Sequence, residues 1–270
     1  MQDEKTAFVL GSIGMLGSTV RDYLALNNWH VIEYNRSKNG NLIDFLRSIN
    51  NSEHNYVFNC IGAIPQKTLD PERLYCANLQ VVIEIIRNLG PQVRLIQPST
   101  DCVFSGNKKE PYTKNDPDVS LDHYGISKRA AELFVVQRPN SYVIRTSIIG
   151  MGHNCKGLLN WILQNENETV DGFIDHYWNG ITTLEWCKQA ISILADSHQC
   201  QGQLYQLGTR KSITKANLIT LVSDIFNLNI TVKPVKRQFR SLILQTDRPV
   251  ISLDDQLREL KIWQNHQSPR

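Results

Sequence analysis

The chain has 270 residues, 41% of them apolar and 20% charged, which describes a globular chain able to bury one large core or one domain with a smaller appendage. A net charge of +3, with no basic block longer than Lys108-Lys109 or Lys236-Arg237, argues against a nucleic-acid partner. No apolar run approaches the roughly 18 residues of a membrane span, and the mixed charges of Met1 to Lys5 do not read as a signal peptide, so a cytoplasmic protein is expected.

Residues 6–10 form a short, continuous apolar run, as a strand buried on both faces does. Gly11, Ser12, Ile13, Gly14, Met15, Leu16 and Gly17 follow at once, and Val20, Tyr23 and Leu24 then carry a helical period. Strand, glycine turn and helix together make a phosphate-site hypothesis: Gly11 for the tight turn, Gly14 for close approach to a pyrophosphate, Gly17 for helix–strand packing. Residues 30–34 read as a second strand. Where an NAD site carries an acid, this chain has Asn35, then Arg36, Ser37 and Lys38, which suits a 2′-phosphate and favours NADP(H); Glu33 keeps NAD(H) open.

A helix over 41–49 and a third strand from 55 follow, the strand leaving through Cys60, Ile61, Gly62 and Ala63. A long amphipathic helix is predicted over 69–89, stopped by Gly90-Pro91. The fourth strand, 93–97, delivers Ser99, Thr100 and Asp101, and the fifth, 141–145, ends on Arg145, Thr146 and Ser147. Between them a helix over 121–137 carries Tyr124 and Lys128, four apart and so on one face. A phenol titrates near ~10, and an adjacent ammonium draws it towards the working range, so the pair suits proton transfer. Five strands alternating with helices over 1–150 predict an α/β, doubly wound parallel sheet. Ligands of such sheets lie beyond the carboxyl ends of the strands, where Gly11, Asn35, residues 59–63, Ser99, Thr100 and residues 145–147 fall.

Beyond Ser147 the periodicity weakens: helices over 158–164, 184–194 and 218–226, extended segments over 170–174 and 204–207. No linker divides the chain, so 151–270 is read as a smaller substrate-side subdomain interleaved with the first 150 residues into one unit. Cys60, Cys76, Cys102, Cys155, Cys187 and Cys200 contain no Cys-x-x-Cys and read as inert thiols of a reducing compartment. The seven histidines form no ligand-spaced cluster, so no metal is expected.

With Gly11-x-x-Gly14-x-x-Gly17, Asn59-Cys60-Ile61-Gly62, the run from Ser99-Thr100-Asp101-Cys102 to Gly106, Tyr124-Gly125-x-Ser127-Lys128, Arg145-Thr146-Ser147 and Arg248-Pro249, the chain resembles extended short-chain dehydrogenase/reductases. Within them it is most similar to dTDP-4-dehydrorhamnose reductases and related nucleotide-sugar 4-keto reductases. The resemblance implies a Rossmann-type sheet, a catalytic set of Thr100, Tyr124 and Lys128, and a nucleotide-sugar substrate, and leaves a homodimer open. It also implies cofactor contacts along the glycine turn, at Asn35 to Ser37, at Cys60 to Ala63, at Ser99, at Tyr124 and Lys128 and at Arg145 to Ser147, with Thr100 also touching substrate. Asp101, Cys102, Trp161, Trp178, Asn179 and Arg248 fall in the substrate regions of relatives, Arg248 as a diphosphate clamp. Relatives that dehydrate carry a carboxylate where this chain has Cys102. In relatives that epimerise and reduce, the working cysteine stands one place away, on the opposite face of an alternating segment. A regulatory NADP-binding subunit is the rival from another class; such subunits tend to lose the tyrosine or lysine present here.

Overall fold

Alternating apolar side chains build the centre of the molecule. In β1 (Thr6–Leu10), Ala7 and Val9 join one buried cluster while Phe8 and Leu10 join another. Successive side chains of a strand point to opposite faces, so this strand is covered on both. The same division runs through β3 (Asn55–Asn59), β4 (Arg94–Ser99) and β5 (Ser141–Arg145): Phe58, Ile96 and Ile144 on one side, Val57, Leu95 and Val143 on the other. These clusters bind helices to both faces. The helices Met15–Leu26 and Thr183–Asp196 cover the first; the helices Leu42–Ser48, Val81–Asn88 and His123–Val135 cover the second. The computed structural model describes residues 5–151, 157–196 and 202–267; the N-terminal residues 1–4, His153, Cys155, His198 and Cys200 lie outside them.

With β2 (His30–Tyr34), the main sheet has six strands, all parallel, in the order Gln203–Gln206, β5, β4, β3, β1, β2. This is a doubly wound, Rossmann-type sheet. The chain grows outwards from β1 to β2, then returns to lay β3 on the other side of β1. The crevice at that reversal opens at the carboxyl ends of β1 and β3. Its sixth strand, Gln203–Gln206, comes from the second half of the chain and pairs with β5.

The remaining strands pair outside the main sheet. Ile213–Thr214, His176–Trp178 and Arg240–Leu242 make a three-stranded sheet, and Thr231–Val235 pairs with Thr169–Phe173. A third apolar cluster, with Trp178, Leu218, Val222, Leu257 and Leu260, packs them against the helices Lys215–Phe226 and Leu253–Gln267. Among the described residues no helix is long and apolar enough to cross a membrane, and no group of His, Cys, Asp or Glu is placed to hold a metal ion.

Candidate active site

The glycine turn is shaped by two close approaches. Gly11 has φ +74°, and a Cβ on it would stand 2.9 Å from the Cys60 carbonyl at the end of β3. A Cβ on Gly17 would stand 2.2 Å from the Gly11 oxygen, so only glycine lets the helix α1 (Met15–Leu26) start so close to the turn. No side chain caps that helix and its first turn holds no acid, which leaves its N–H groups and dipole for an anion.

Two clefts are lined by residues of this segment, one by Gly11, Ser12 and Ile13 and the other by Met15. One, of about 860 Å³, is lined by Gly11, Ser12, Ile13, Asn35, Arg36 and Ile61. Asn35 accepts the Ser37 hydroxyl at 2.6 Å and the Ser37 N–H at 3.0 Å, which fixes the short helix Arg36–Asn39. Glu33 faces Arg21 at 3.6 Å, whereas Arg36 has no ion pair among the described residues. The other cleft, of about 700 Å³, is lined by Met15, Ser99, Thr100, Asp101, Cys102, Tyr124, Lys128, Thr146, Ser147 and Trp178.

Thr100 and Asp101 leave the end of β4, while Tyr124 and Lys128 come from the helix His123–Val135, capped by Asp122 through the Gly125 N–H at 2.7 Å. Gly125 packs against Ser120 and the Cys102 carbonyl, where a Cβ would stand 2.3 Å from that oxygen. The helix is thereby held against the β4 exit. Thr100 Oγ1 donates to Asp101 Oδ1 at 3.0 Å and accepts the Cys102 N–H at 3.1 Å. Lys128 Nζ donates to the Pro98 carbonyl at 2.8 Å.

The electrostatics depart from the sequence reading at Tyr124. Burial pushes the phenol above its usual range, with Cys102, Asp101 and Asp122 adding to it and only the hydrogen-bonding Thr100 hydroxyl opposing. Lys128 is not among the groups that lower it. Burial instead pulls Lys128 itself down to about 8, against Glu132 and Cys60. Burial also pushes Cys60 up to about 12 and raises Cys102, so both thiols stay protonated at neutral pH.

Several residues expected at the site have other partners. Arg145 is 3% exposed and forms a bidentate pair with Glu132 at 2.9 and 2.6 Å, with Ser99 donating to the same carboxylate at 2.5 Å. Asn179 is buried and bonds the Thr209 and Leu244 backbones. Arg248 reaches Ser192 at 2.9 Å and Asp196 at 2.5 Å, and Trp161 is 41% exposed; neither lines either of these two clefts. Leu16 and Cys60 pack on the first apolar cluster, Gly62 adjoins Asn78, and Ala63 is held by Asn78 at 2.9 and 3.0 Å. Asn78 stands in a π-helical segment, Cys76–Gln80, that interrupts the helical stretch from Pro71 to Asn88, and it also donates to Ser127 on the Tyr124 helix. Sequence reasoning did not single out Asn78, Lys215 or Arg240, the last two of which line the Tyr124 cleft. No motif spacing marks them.

A family model described as the RmlD substrate binding domain matches residues 5–253. Among curated proteins, a dTDP-4-keto-6-deoxy-D-glucose reductase of Streptomyces niveus is 26% identical over 105 residues, 38% of this chain and 36% of that protein, so the chain spans about a third of that relative. The dTDP-4-dehydrorhamnose reductase of Bacillus anthracis, solved in complex with NADP, superposes with a TM-score of 0.84 at 17% identity, covering 97% of this chain and 99% of that one. A second structure of that description, from Clostridium acetobutylicum, gives 0.80 at 17% identity over 96% and 99%. The UDP-glucose 4-epimerase of Thermotoga maritima, solved with UDP-glucose, gives 0.75 at 17% identity over 97% and 100%. At such identities the structural likeness establishes the fold.

Proposed function

The chain belongs to the RmlD substrate-binding-domain family, and on that premise we propose that it is an NADP(H)-dependent oxidoreductase reducing the 4-keto group of a nucleotide-linked deoxysugar. A dTDP-linked 4-keto-6-deoxyhexose is the finer reading, in line with what the Streptomyces niveus relative is named for. The proposed setting is cytoplasmic precursor synthesis for surface polysaccharide. The observation that carries the reading is the meeting of Thr100, Tyr124 and Lys128 in one cleft beside the glycine turn.

The residues fit a dinucleotide phosphate. Gly11 and Gly17 let the turn lie tight against β3 and the start of α1, that uncapped start offers N–H donors, and Arg36, with no ion pair among the described residues, stands where a 2′-phosphate would be read. Reduced nicotinamide, when bound, supplies hydride to the ketone carbon. Tyr124, held protonated by burial, gives its proton to the oxygen on which charge develops. Thr100 orients the phenol, and Lys128 places an ammonium at the same wall. Cys102 stays neutral and offers no base for dehydration or epimerisation.

The test is NADPH oxidation with dTDP- and UDP-linked 4-keto-6-deoxyhexoses. Tyr124→Phe is expected to lower kcat by about 10²–10⁴-fold, the usual share of a positioned acid, with NADPH affinity retained. Binding of NADPH without turnover of any such sugar by the unaltered protein would instead support the regulatory subunit.

A further inference from the structure

Where β3 and β4 stop pairing, two side-chain amides take over from the backbone. Phe58 and Ile96 are the last residues of the two strands in register. One step on, Asn59 Nδ2 donates to Gln97 Oε1 at 2.7 Å, the two residues being 1% and 2% exposed. Side chains alternate along a strand, so Asn59 and Gln97 fall on the face of Val57 and Leu95, the face that the Tyr124 helix covers. A valine or leucine there would complete an apolar cluster, whereas a buried amide costs desolvation unless it is hydrogen-bonded. Both amides are bonded at each end. Asn59 Oδ1 accepts the Ile61 N–H at 3.2 Å, and Gln97 Nε2 donates to the Pro98 carbonyl at 3.0 Å.

Pro98 is the unusual member of this group. It stands in β4, between β3 and β5 in the middle of the sheet, where a residue without an N–H forfeits a ladder hydrogen bond. Its carbonyl accepts a second side chain, the Lys128 ammonium, at 2.8 Å. Gln97 and Lys128 therefore share one acceptor on the wall of the Tyr124 cleft, which Pro98 and Lys128 both line. Among the described residues Lys128 forms no ion pair, so this carbonyl is what fixes its buried ammonium. The titratable groups acting on it are Glu132, already bonded to Arg145 and Ser99, and the Cys60 thiol, which burial keeps neutral.

We propose that Gln97, braced by Asn59, is a positioning residue for Lys128: it fixes the Pro98 carbonyl to which the ammonium donates, and so sets where that charge stands, one helical turn from Tyr124. What the charge does in turnover rests on the reductase reading; where it stands does not. Through Asn59 the same brace reaches Ile61, on the wall of the glycine-turn cleft.

Two variants and two measurements test it. Gln97→Met keeps the bulk and removes both amide bonds, while Gln97→Glu keeps the shape and sets a carboxylate beside the shared carbonyl. Lys128 is titrated through the lysine Cε resonances of the isotope-labelled full chain, assigned with Lys128→Met, and keto-sugar reduction is followed with NADPH. The unaltered ammonium should titrate at about 8. In Gln97→Glu that midpoint should rise by about one unit or more, as an opposite charge at close range produces, and the fall in kcat that follows deprotonation should rise with it. Gln97→Met should lower kcat about three- to tenfold with KM little changed, the scale of one hydrogen bond felt in the transition state. An amide pair that merely closes the sheet would leave the Lys128 midpoint where it is. An unmoved midpoint in Gln97→Glu, or an unaltered kcat in Gln97→Met, overturns the proposal. Circular dichroism controls for folding; if Gln97→Met fails it, the isosteric Gln97→Glu carries the test. Should the unaltered chain reduce no keto sugar, the resonance titration decides alone: a raised midpoint keeps the brace and removes the reductase reading.

Discussion

Tyr124 and Lys128 divide the charge states of the site between them. The phenol is pushed up by burial and keeps its proton throughout the neutral range, whereas the ammonium, at about 8, is the group that titrates there. If Lys128 acts as a cation, kcat falls as pH rises through about 8 while Tyr124 remains a competent acid. The same burial acts on stability with the opposite slope. The folded value of about 8 lies below the ordinary 10.5, so between them the unfolded chain holds the extra proton and stability gains with pH. Lys128→Met should abolish both slopes, measured by pH–rate profiles and by urea midpoints from pH 7 to 10. A rate that climbs through pH 8 to 9 would instead assign the working form to the free amine or the phenolate. Asp101 is read as a positioning residue: it accepts the Thr100 hydroxyl at 3.0 Å while the Cys102 N–H donates to the same Thr100 oxygen at 3.1 Å, which fixes the hydroxyl beside Tyr124. Asp101→Asn is expected to lower kcat about tenfold, near 1.4 kcal/mol, the scale of one hydrogen bond. The fall in rate near pH 8 belongs to Lys128, on which Asp101 is not among the acting groups, and should keep its position in this variant.

At the scale of elements, the Tyr124 helix is tied to β4 and β5 by one buried ion pair. Glu132, 3% exposed, accepts from Arg145 and from Ser99, so the helix, the β5 end and the β4 end share a single carboxylate. Glu132→Ala strands a buried guanidinium and should cost about 3–5 kcal/mol by denaturant unfolding; a loss below about 1 kcal/mol would show Arg145 finding another partner. Nothing local in the sequence announces this pair. Arg145 follows a strand, where a ligand contact is the natural expectation, and its partner stands on the preceding helix. Elements whose pattern is local were legible: β2 and β5 begin and end where the apolar runs do, and the Tyr124 helix ends within two residues of its predicted bounds. The helix Leu253–Gln267 was not, since its buried stripe of Leu253, Leu257 and Leu260 is thin against a largely polar surface. Lys215 and Arg240 escaped for a different reason: only tertiary packing brings a helix start and a strand start from the second half to the Tyr124 cleft.

At the scale of the whole molecule, the segment over 204–207 reads as a strand from sequence, but which sheet it joins is a long-range fact. It joins the main one. Gln203–Gln206 lies beside β5, Gln206 Oε1 accepts from Arg145 at 3.1 Å, and Gln206 Nε2 donates to Tyr112 and Gln245 carbonyls at 2.6 and 2.9 Å. The helix Thr183–Asp196 from the second half also supplies Trp186, Ala190 and Ile193 to the first apolar cluster. A division near residue 150 is therefore one of sequence order, and the proposed substrate-side subdomain shares both its sheet and its core with the cofactor side. A fragment of residues 1–150 would expose the β5 edge and the part of one sheet face that Thr183–Asp196 covers, a template for aggregation rather than a folded unit. The fragment is expected to be insoluble or to unfold without a cooperative transition, while the full chain loses its near- and far-ultraviolet circular dichroism together in one transition. A soluble fragment that unfolds cooperatively and binds NADPH would mean that the first half holds its own core, and that Gln203–Gln206 and Thr183–Asp196 merely dock on it.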